Sequence, residues 1–289
     1  MAKLLEGKPI AEKIRALLEA EIRQLKAEHG LHPKLVALQI GENTVSEVYI
    51  RNQKKTAESL GINYELRSIP DTSSQADVVK VIDGLNKDAS VTAVILQLPV
   101  PGHIDAARTI GLIAPEKDAE GINNRNICKI VFGDCSIGPC TAMAVMEMIS
   151  STGVKLHGKE AVVVGHSDIV GKPVSLMLIN NLATTTVCHI ATSERGHLAE
   201  HVKRAEILVV AVGKAGLIKG EWIRQDAIVI DVGINKVGGK IVGDVEFDEA
   251  QARASFITPV PGGVGPLTTM MLMRNTVEQF KAQLREKKR

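Results

Sequence analysis

Val162-Val163-Val164-Gly165-His166-Ser167-Asp168-Ile169-Val170-Gly171-Lys172-Pro173 reads as strand, tight turn and helix. The first backbone N–H groups of a helix lack intrahelical partners, and the helix dipole favours an anion beside them. Gly165 permits the tight turn, and Gly171 permits close approach of helix to strand. Ser167 stands where a second glycine is usual and brings a hydroxyl that can bond phosphate. The complete G-x-G-x-x-G spacing is absent, so the segment also fits a βα turn that binds nothing.

Working outward, helical and strand periodicities alternate along the chain, which predicts an α/β fold. Strands are expected at residues 35–40, 62–69 and 92–98, with helices from about residue 7, at 46–60 and at 76–85. Gly41-Glu42-Asn43 reads as a turn. Residues 111–141, rich in Gly, Pro, Asn and Asp, read as a long loop, and such loops often carry function. A helix is expected at 142–151. A second strand-and-helix series then runs through 161–164, 170–181, 184–189, 207–212 and 227–231, and a last helix covers about 267–284. The 289 residues exceed the usual span of one domain. The division expected is 1–141 with 268–289 as one domain and 142–267 as the other.

Composition excludes several classes. A net charge of +2 gives no electrostatic case for nucleic acid or an anionic membrane. One Trp, two Tyr and four Phe are too few for a base-stacking surface. No apolar run approaches the roughly 20 residues of a spanning helix. Residues 1–10 lack the apolar core of a secretory signal, so the cytoplasm is the expected location. Cys128, Cys135, Cys140 and Cys188 form no C-x-x-C pair. They read as reduced, packed thiols, with no metal expected. The basic residues 285–289 read as a solvated helix end.

Four further segments carry chemistry. Ser46-Glu47-Val48-Tyr49 opens a helix that continues through Gln53 and Lys54. Leu96-Gln97-Leu98-Pro99-Val100-Pro101 ends a buried strand. Pro115-Glu116-Lys117-Asp118-Ala119-Glu120-Gly121 lies in the long loop. Thr258-Pro259-Val260-Pro261-Gly262-Gly263-Val264-Gly265-Pro266 precedes the last helix. Taken singly, each has a plain structural reading: Tyr49 as a core residue, Gln97 as a backbone partner at a strand end, Glu120 as a solvated loop acid. Taken in order, and with Gly138-Pro139-Cys140-Thr141 and the turn at Gly165, they resemble the methylenetetrahydrofolate dehydrogenase/cyclohydrolase family.

That resemblance implies an N-terminal three-layer α/β domain and a Rossmann-like dinucleotide-binding domain flanking a cleft. The C-terminal helix would return to the first domain. It implies a homodimer that oxidises 5,10-methylenetetrahydrofolate to the methenyl compound with NADP or NAD. A cyclohydrolase step would then give 10-formyltetrahydrofolate. It assigns catalysis to Tyr49, Gln53 and Gln97. Folate binding would fall to Tyr49, Gln97, Leu98, Pro99, Glu120, Pro261, Gly262 and Gly263. Dinucleotide contacts would come from Gly165, His166, Ser167, Gly171 and Ile234.

Four positions depart from the family pattern. Gln53 stands where the family has a catalytic Lys, four residues after the Tyr and so on the same helix face. Lys54 is one residue later, about 100° further round the helix. Glu120 replaces an Asp and keeps its carboxylate on a stem one methylene longer. His166 and Ile190 replace an Arg and a Ser that help recognise the adenosine end, so NADP and NAD both stay open. Hydride transfer depends mainly on positioning, whereas water attack needs proton transfers that an amide cannot make. A dehydrogenase with weak or absent hydrolysis is therefore expected. The alternatives are a bifunctional enzyme using another base, and a non-catalytic folate- or dinucleotide-binding regulator.

Overall fold

The computed structural model describes residues 1–42 and 44–286, with backbone alone for 44–46. Asn43 of the expected turn and residues 287–289 of the basic end lie outside the described residues. In chain order the elements are β1 (Lys3–Leu4), α1 (Gly7–His29), β2 (Lys34–Ile40), α2 (Thr44–Leu60), β3 (Asn63–Ile69), α3 (Gln75–Lys87), β4 (Ala93–Leu96), α4 (Ala106–Leu112) and α5 (Asn124–Val131). There follow α6 (Cys140–Ser151), β5 (Glu160–Val164), α7 (Gly171–Asn180), β6 (Thr184–Cys188), α8 (Ile190–Glu194), α9 (Leu198–Arg204) and β7 (Ile207–Val210). The chain ends with β8 (Ile228–Asp231), β9 (Asn235–Val237), β10 (Lys240–Val242), α10 (Phe247–Arg253), β11 (Phe256–Ile257) and α11 (Gly265–Glu286).

The chain divides into two compact units. The first comprises Met1–Glu12, Ile130–Cys135 and Pro139–Thr268. Its six-stranded sheet has the order β1-β11-β8-β7-β5-β6, every pairing parallel. β5, β7 and β8 are continuous apolar runs because helices cover both faces, as a parallel sheet requires. Val162 and Val164 pack with Leu198, Val202 and Ala250 from α9 and α10. The strand order reverses between β5 and β7, and ligands of such sheets bind at the carboxyl ends beside that switch. β1, from the segment assigned by sequence to the other domain, forms the sheet edge by pairing with β11.

The second unit comprises Lys13–Lys129, Ser136–Gly138 and Thr269–Arg289. Its parallel sheet runs β3-β2-β4. Alternation gives the two faces different jobs. Val36, Leu38, Ile40, Val94 and Leu96 join Val78, Ile82 and Leu85 of α3 in one apolar core. Gln39 and Gln97 have the other parity. A capping box at Ser74 and Asp77 starts α3.

The long loop is more ordered than its composition suggests. Residues 124–131 form α5, because Asn123 acts as an N-cap: its Oδ1 accepts from the Arg125 N–H at 2.9 Å. Lys117 is buried and donates to the carbonyls of Leu85 and Asp88 at the end of α3, where a cation is favoured. The Asp118 carboxylate accepts from the N–H groups of Gly121 and Asn123 and from Asn126 Nδ2.

Helix α11 secures this loop with three amides spaced one turn apart. Asn275 donates to the carbonyls of Ala119 and Gly138, Gln279 to that of Asp118, and Gln283 to those of Thr92 and Glu116. The spacing of four places them on one helix face. Gln279 is buried, so Gln279→Leu leaves the Asp118 carbonyl short of a donor. The variant is expected to lose about 1–2 kcal/mol in urea unfolding. An unchanged midpoint would show that the carbonyl finds another partner.

Candidate active site

One cluster of candidate residues lies at the carboxyl ends of β5, β6 and β7. Gly165 follows β5 with φ of 122°, a backbone geometry that side chains rarely tolerate. A Cβ there would sit 2.3 Å from the Ala211 carbonyl oxygen. A Cβ on Gly171 would sit 2.1 Å from the Gly165 oxygen. The absence of both carbons lets α7 start directly against the turn. The Ser167 Oγ accepts from the Val170 N–H at 3.2 Å, leaving its own proton for a ligand. These residues border a cavity of about 510 Å³, with His166, His189, Ile190, Ser193 and Lys214 around it. The His166 and His189 rings lie 5.4 Å apart. Lys172, on α7, is already paired with Asp168.

Next to this cavity, two buried aspartates organise the backbone. Asp244 accepts from the N–H groups of Val212, Gly213 and Lys214, the segment after β7. Asp231 accepts from those of Gly233, Asp244 and Val245. Burial pushes the Asp231 carboxyl up to about 6, while those three donors hold it down. Gly233 and Gly243 are required here, since a Cβ on either would meet an aspartate carboxylate at 2.0–2.2 Å. In the same unit, Gly7 donates to the Gly262 carbonyl at 2.9 Å, which braces the segment holding Pro261, Gly262 and Gly263.

A second cluster of candidate residues belongs to the other unit. Tyr49 on α2 is 60% exposed, so it is not a core residue. Gln53, one turn later, is buried. Its Oε1 accepts from Gln97 Nε2 at 2.9 Å and from the Tyr64 hydroxyl at 3.1 Å. Gln97 extends β4, its N–H donating to the Leu38 carbonyl. Leu98 is half-exposed, and both the Leu98–Pro99 and Val260–Pro261 peptides are cis. Lys54 faces solvent at 56% exposure and lies 3.9 Å from Glu58, away from Gln53's partners.

Glu120 follows the backbone bridge that pins Ala119 to Val94 of β4. Burial, and secondarily the Asp118 carboxylate, push its carboxyl up to about 8. A carboxyl that stays protonated near neutrality can donate as well as accept. Glu120 is thus not a solvated loop acid.

Known proteins match this arrangement along nearly its whole length. The model of the tetrahydrofolate dehydrogenase/cyclohydrolase catalytic domain matches residues 5–120, and that of the NAD(P)-binding domain matches residues 139–284. The chain belongs to the tetrahydrofolate dehydrogenase/cyclohydrolase family. The bifunctional protein FolD of Moorella thermoacetica is 47% identical over 278 residues, 96% of this chain and 98% of that one. The crystal structure of FolD from Campylobacter jejuni superposes with a TM-score of 0.93 at 37% identity, covering 98% of this chain and 99% of that one. That of the Trypanosoma brucei enzyme, complexed with NADP cofactor and inhibitor, gives 0.91 at 38% identity, covering 98% and 99%.

The structure brings some of the candidate residues together and leaves others apart. Gly165, His166 and Ser167 line one cavity and Gly171 closes it, whereas Ile234 is exposed and is not among the cavity-lining residues. Gln53 and Gln97 meet directly. Sequence reasoning missed His189, Ser193 and Lys214, which follow β6 and β7. The signal was available: strands flanking the switch point end beside the same ligand. It also missed Tyr64, whose strand alternation suggested nothing about α2. Cys128 is exposed rather than packed, Cys135 half-buried, and Cys140 and Cys188 buried. Among the described residues, no group of three or more His, Cys, Asp or Glu could hold a metal.

Two outcomes follow from this geometry. Gly165→Ala has no space for its methyl against Ala211, and is expected to weaken dinucleotide binding at least tenfold by titration of reduced-nicotinamide fluorescence. Retained affinity would mean that the turn relaxes without cost. Glu120 supplies the second. Below its ordinary value of 4.5 it is protonated folded or unfolded, and between 4.5 and about 8 the unfolded chain alone ionises. Stability from this group is therefore present at low pH and lost as pH rises through about 8. Glu120→Gln should flatten that decline in urea midpoints measured across the window.

Proposed function

We propose that the chain oxidises 5,10-methylenetetrahydrofolate to 5,10-methenyltetrahydrofolate with NADP or NAD, and hydrolyses the methenyl product poorly or not at all. The reading rests on one observation above the others: at Gln53 a neutral amide, held by Gln97 and Tyr64, stands where the family resemblance calls for an ammonium.

The dinucleotide is assigned to residues 142–267 and the folate to 1–141 with 268–289, apart from β1, which pairs in the larger sheet. The cradle formed by Gly165 and Gly171, with the Ser167 hydroxyl at the head of α7, suits a pyrophosphate. His166 and Ser167 border the same cavity, and Ile234 is kept as a further contact. When bound, the nicotinamide ring supplies the acceptor for hydride from the folate's methylene carbon. Tyr49 offers an exposed ring for stacking. Gln97 orients polar groups of the folate. Glu120, protonated near neutrality, can both donate to and accept from a pterin edge. Leu98, Pro99, Pro261, Gly262 and Gly263 complete the folate contacts. The oxidation moves a hydride and requires no base.

Hydrolysis is different. Water attack on the methenyl carbon releases a proton, and ring opening needs one returned. Gln53 cannot carry it. Lys54 is solvated beside Glu58. Tyr64 is the nearest titratable neighbour of Gln53, and burial pushes its phenol further above its already high value. A homodimer in the cytoplasm is the expected working form. Among the described residues, no helix is long and apolar enough to cross a membrane.

The test is to supply 5,10-methylenetetrahydrofolate with each dinucleotide, and to follow reduced nicotinamide and the methenyl compound together. Their accumulation in step is expected, and the faster dinucleotide identifies the cofactor. Removal of methenyl faster than in an enzyme-free control would establish a bifunctional enzyme. Binding without turnover would leave a regulator. Gln53→Lys is expected to raise hydrolysis at least tenfold.

A further inference from the structure

We infer that Tyr64 is a positioning residue that sets the orientation of the Gln97 amide through Gln53. The inference rests on the dehydrogenase reading above.

The argument begins with proton counting. A primary amide has two ends of similar shape and opposite polarity, so Gln53 and Gln97 can pair in either sense. With Gln97 donating, Gln53 presents its Oε1 and Gln97 keeps its own Oε1 for a ligand. With both amides reversed, Gln97 presents N–H groups to the ligand instead. The Gln53–Gln97 contact does not distinguish the two.

Tyr64 does. Its hydroxyl has one proton, and Gln53 Oε1 lies 3.1 Å away as its acceptor. Reversing Gln53 would turn an N–H toward that hydroxyl and leave the phenolic proton without this acceptor. Depriving this half-buried donor of its acceptor favours the sense that keeps the bond by severalfold to about tenfold. Burial also raises the Tyr64 phenol above its ordinary range, so the hydroxyl keeps its proton throughout the working pH range. Both lone pairs of Gln53 Oε1 are then filled, one by Tyr64 and one by Gln97.

The fold gives this relay a rigid base. Tyr64 sits on β3 opposite Leu35, and Gln97 extends β4 beside Gln39 of β2. Their positions share one parity along the parallel strands, so both side chains rise from the face opposite the apolar core around Leu38 and Leu96. Gln53 descends from α2 between them. Two consecutive elements, α2 and β3, and the more distant β4 thus fix one amide.

The experiment combines turnover with a probe that needs no substrate. In the free protein labelled with nitrogen-15, Tyr64→Phe is expected to shift the side-chain amide signals of both Gln53 and Gln97. In the dehydrogenase assay the same variant should lower kcat about fivefold, with the KM for the dinucleotide unchanged. In a Gln53→Ala background, Tyr64→Phe should cost nothing further, since the relay is already cut. An equal loss in both backgrounds, or a Gln97 signal indifferent to Tyr64→Phe, overturns the inference. Shifted amide signals in a wild-type protein that does not oxidise the folate would refute the dehydrogenase reading and leave the relay standing.

Discussion

Behind the end of β5, three stretches of backbone meet where there is no room for a side-chain carbon. Gly165 lies against the Ala211 carbonyl that follows β7, and Gly171 at the head of α7 lies against the carbonyl of Gly165. This closeness seats the helix N-terminus on the turn, opens the cavity at the point where strand order reverses, and sets what can approach it. Neighbouring loops obey the same rule by another means. The glycines at 233 and 243 leave space for the carboxylates of Asp244 and Asp231, which collect backbone N–H groups on both sides of the sheet's end. The cavity wall after β7 therefore hangs on a buried carboxylate.

The other unit is organised by neutral amides. Asn123, Asn126, Asn275, Gln279 and Gln283 hold the loop that carries Glu120, and Gln53 pairs with Gln97 beyond it. An amide both donates and accepts and does not titrate, so these bonds are indifferent to pH, whereas the buried Asp118 carboxylate that gathers the same loop is a titrating member. The same neutrality that suits the scaffold removes proton transfer at Gln53. Hydride transfer tolerates that loss because it depends on how the reacting carbons are held.

Much of this was legible in the order of residues. The run from Val162 to Pro173 contained strand, turn and helix, and its two glycines stand where close approach demands them. Short continuous apolar runs located β2, β4, β5 and β7 because buried parallel strands have few alternatives. The spacing between Tyr49 and Gln53 identified a shared helix face, and the family resemblance marked the ammonium that Gln53 replaces. By contrast, α5 was concealed by its asparagines, which suggest turns until Asn123 is seen capping the helix. Lys117 resembled a loop cation and proved to be a buried cap on α3.

What the sequence determined alone was local: which segments are helical or extended, which glycines a turn requires, and which residue types are available for chemistry. Tertiary structure decided the partnerships. Tyr64 meets Gln53, Gln283 meets Thr92 and Asp244 meets Val212 only once helices, strands and loops have packed together. Periodicity is a property of neighbours along the chain. A hydrogen bond across a sheet depends on register and burial, and these arise from the fold as a whole.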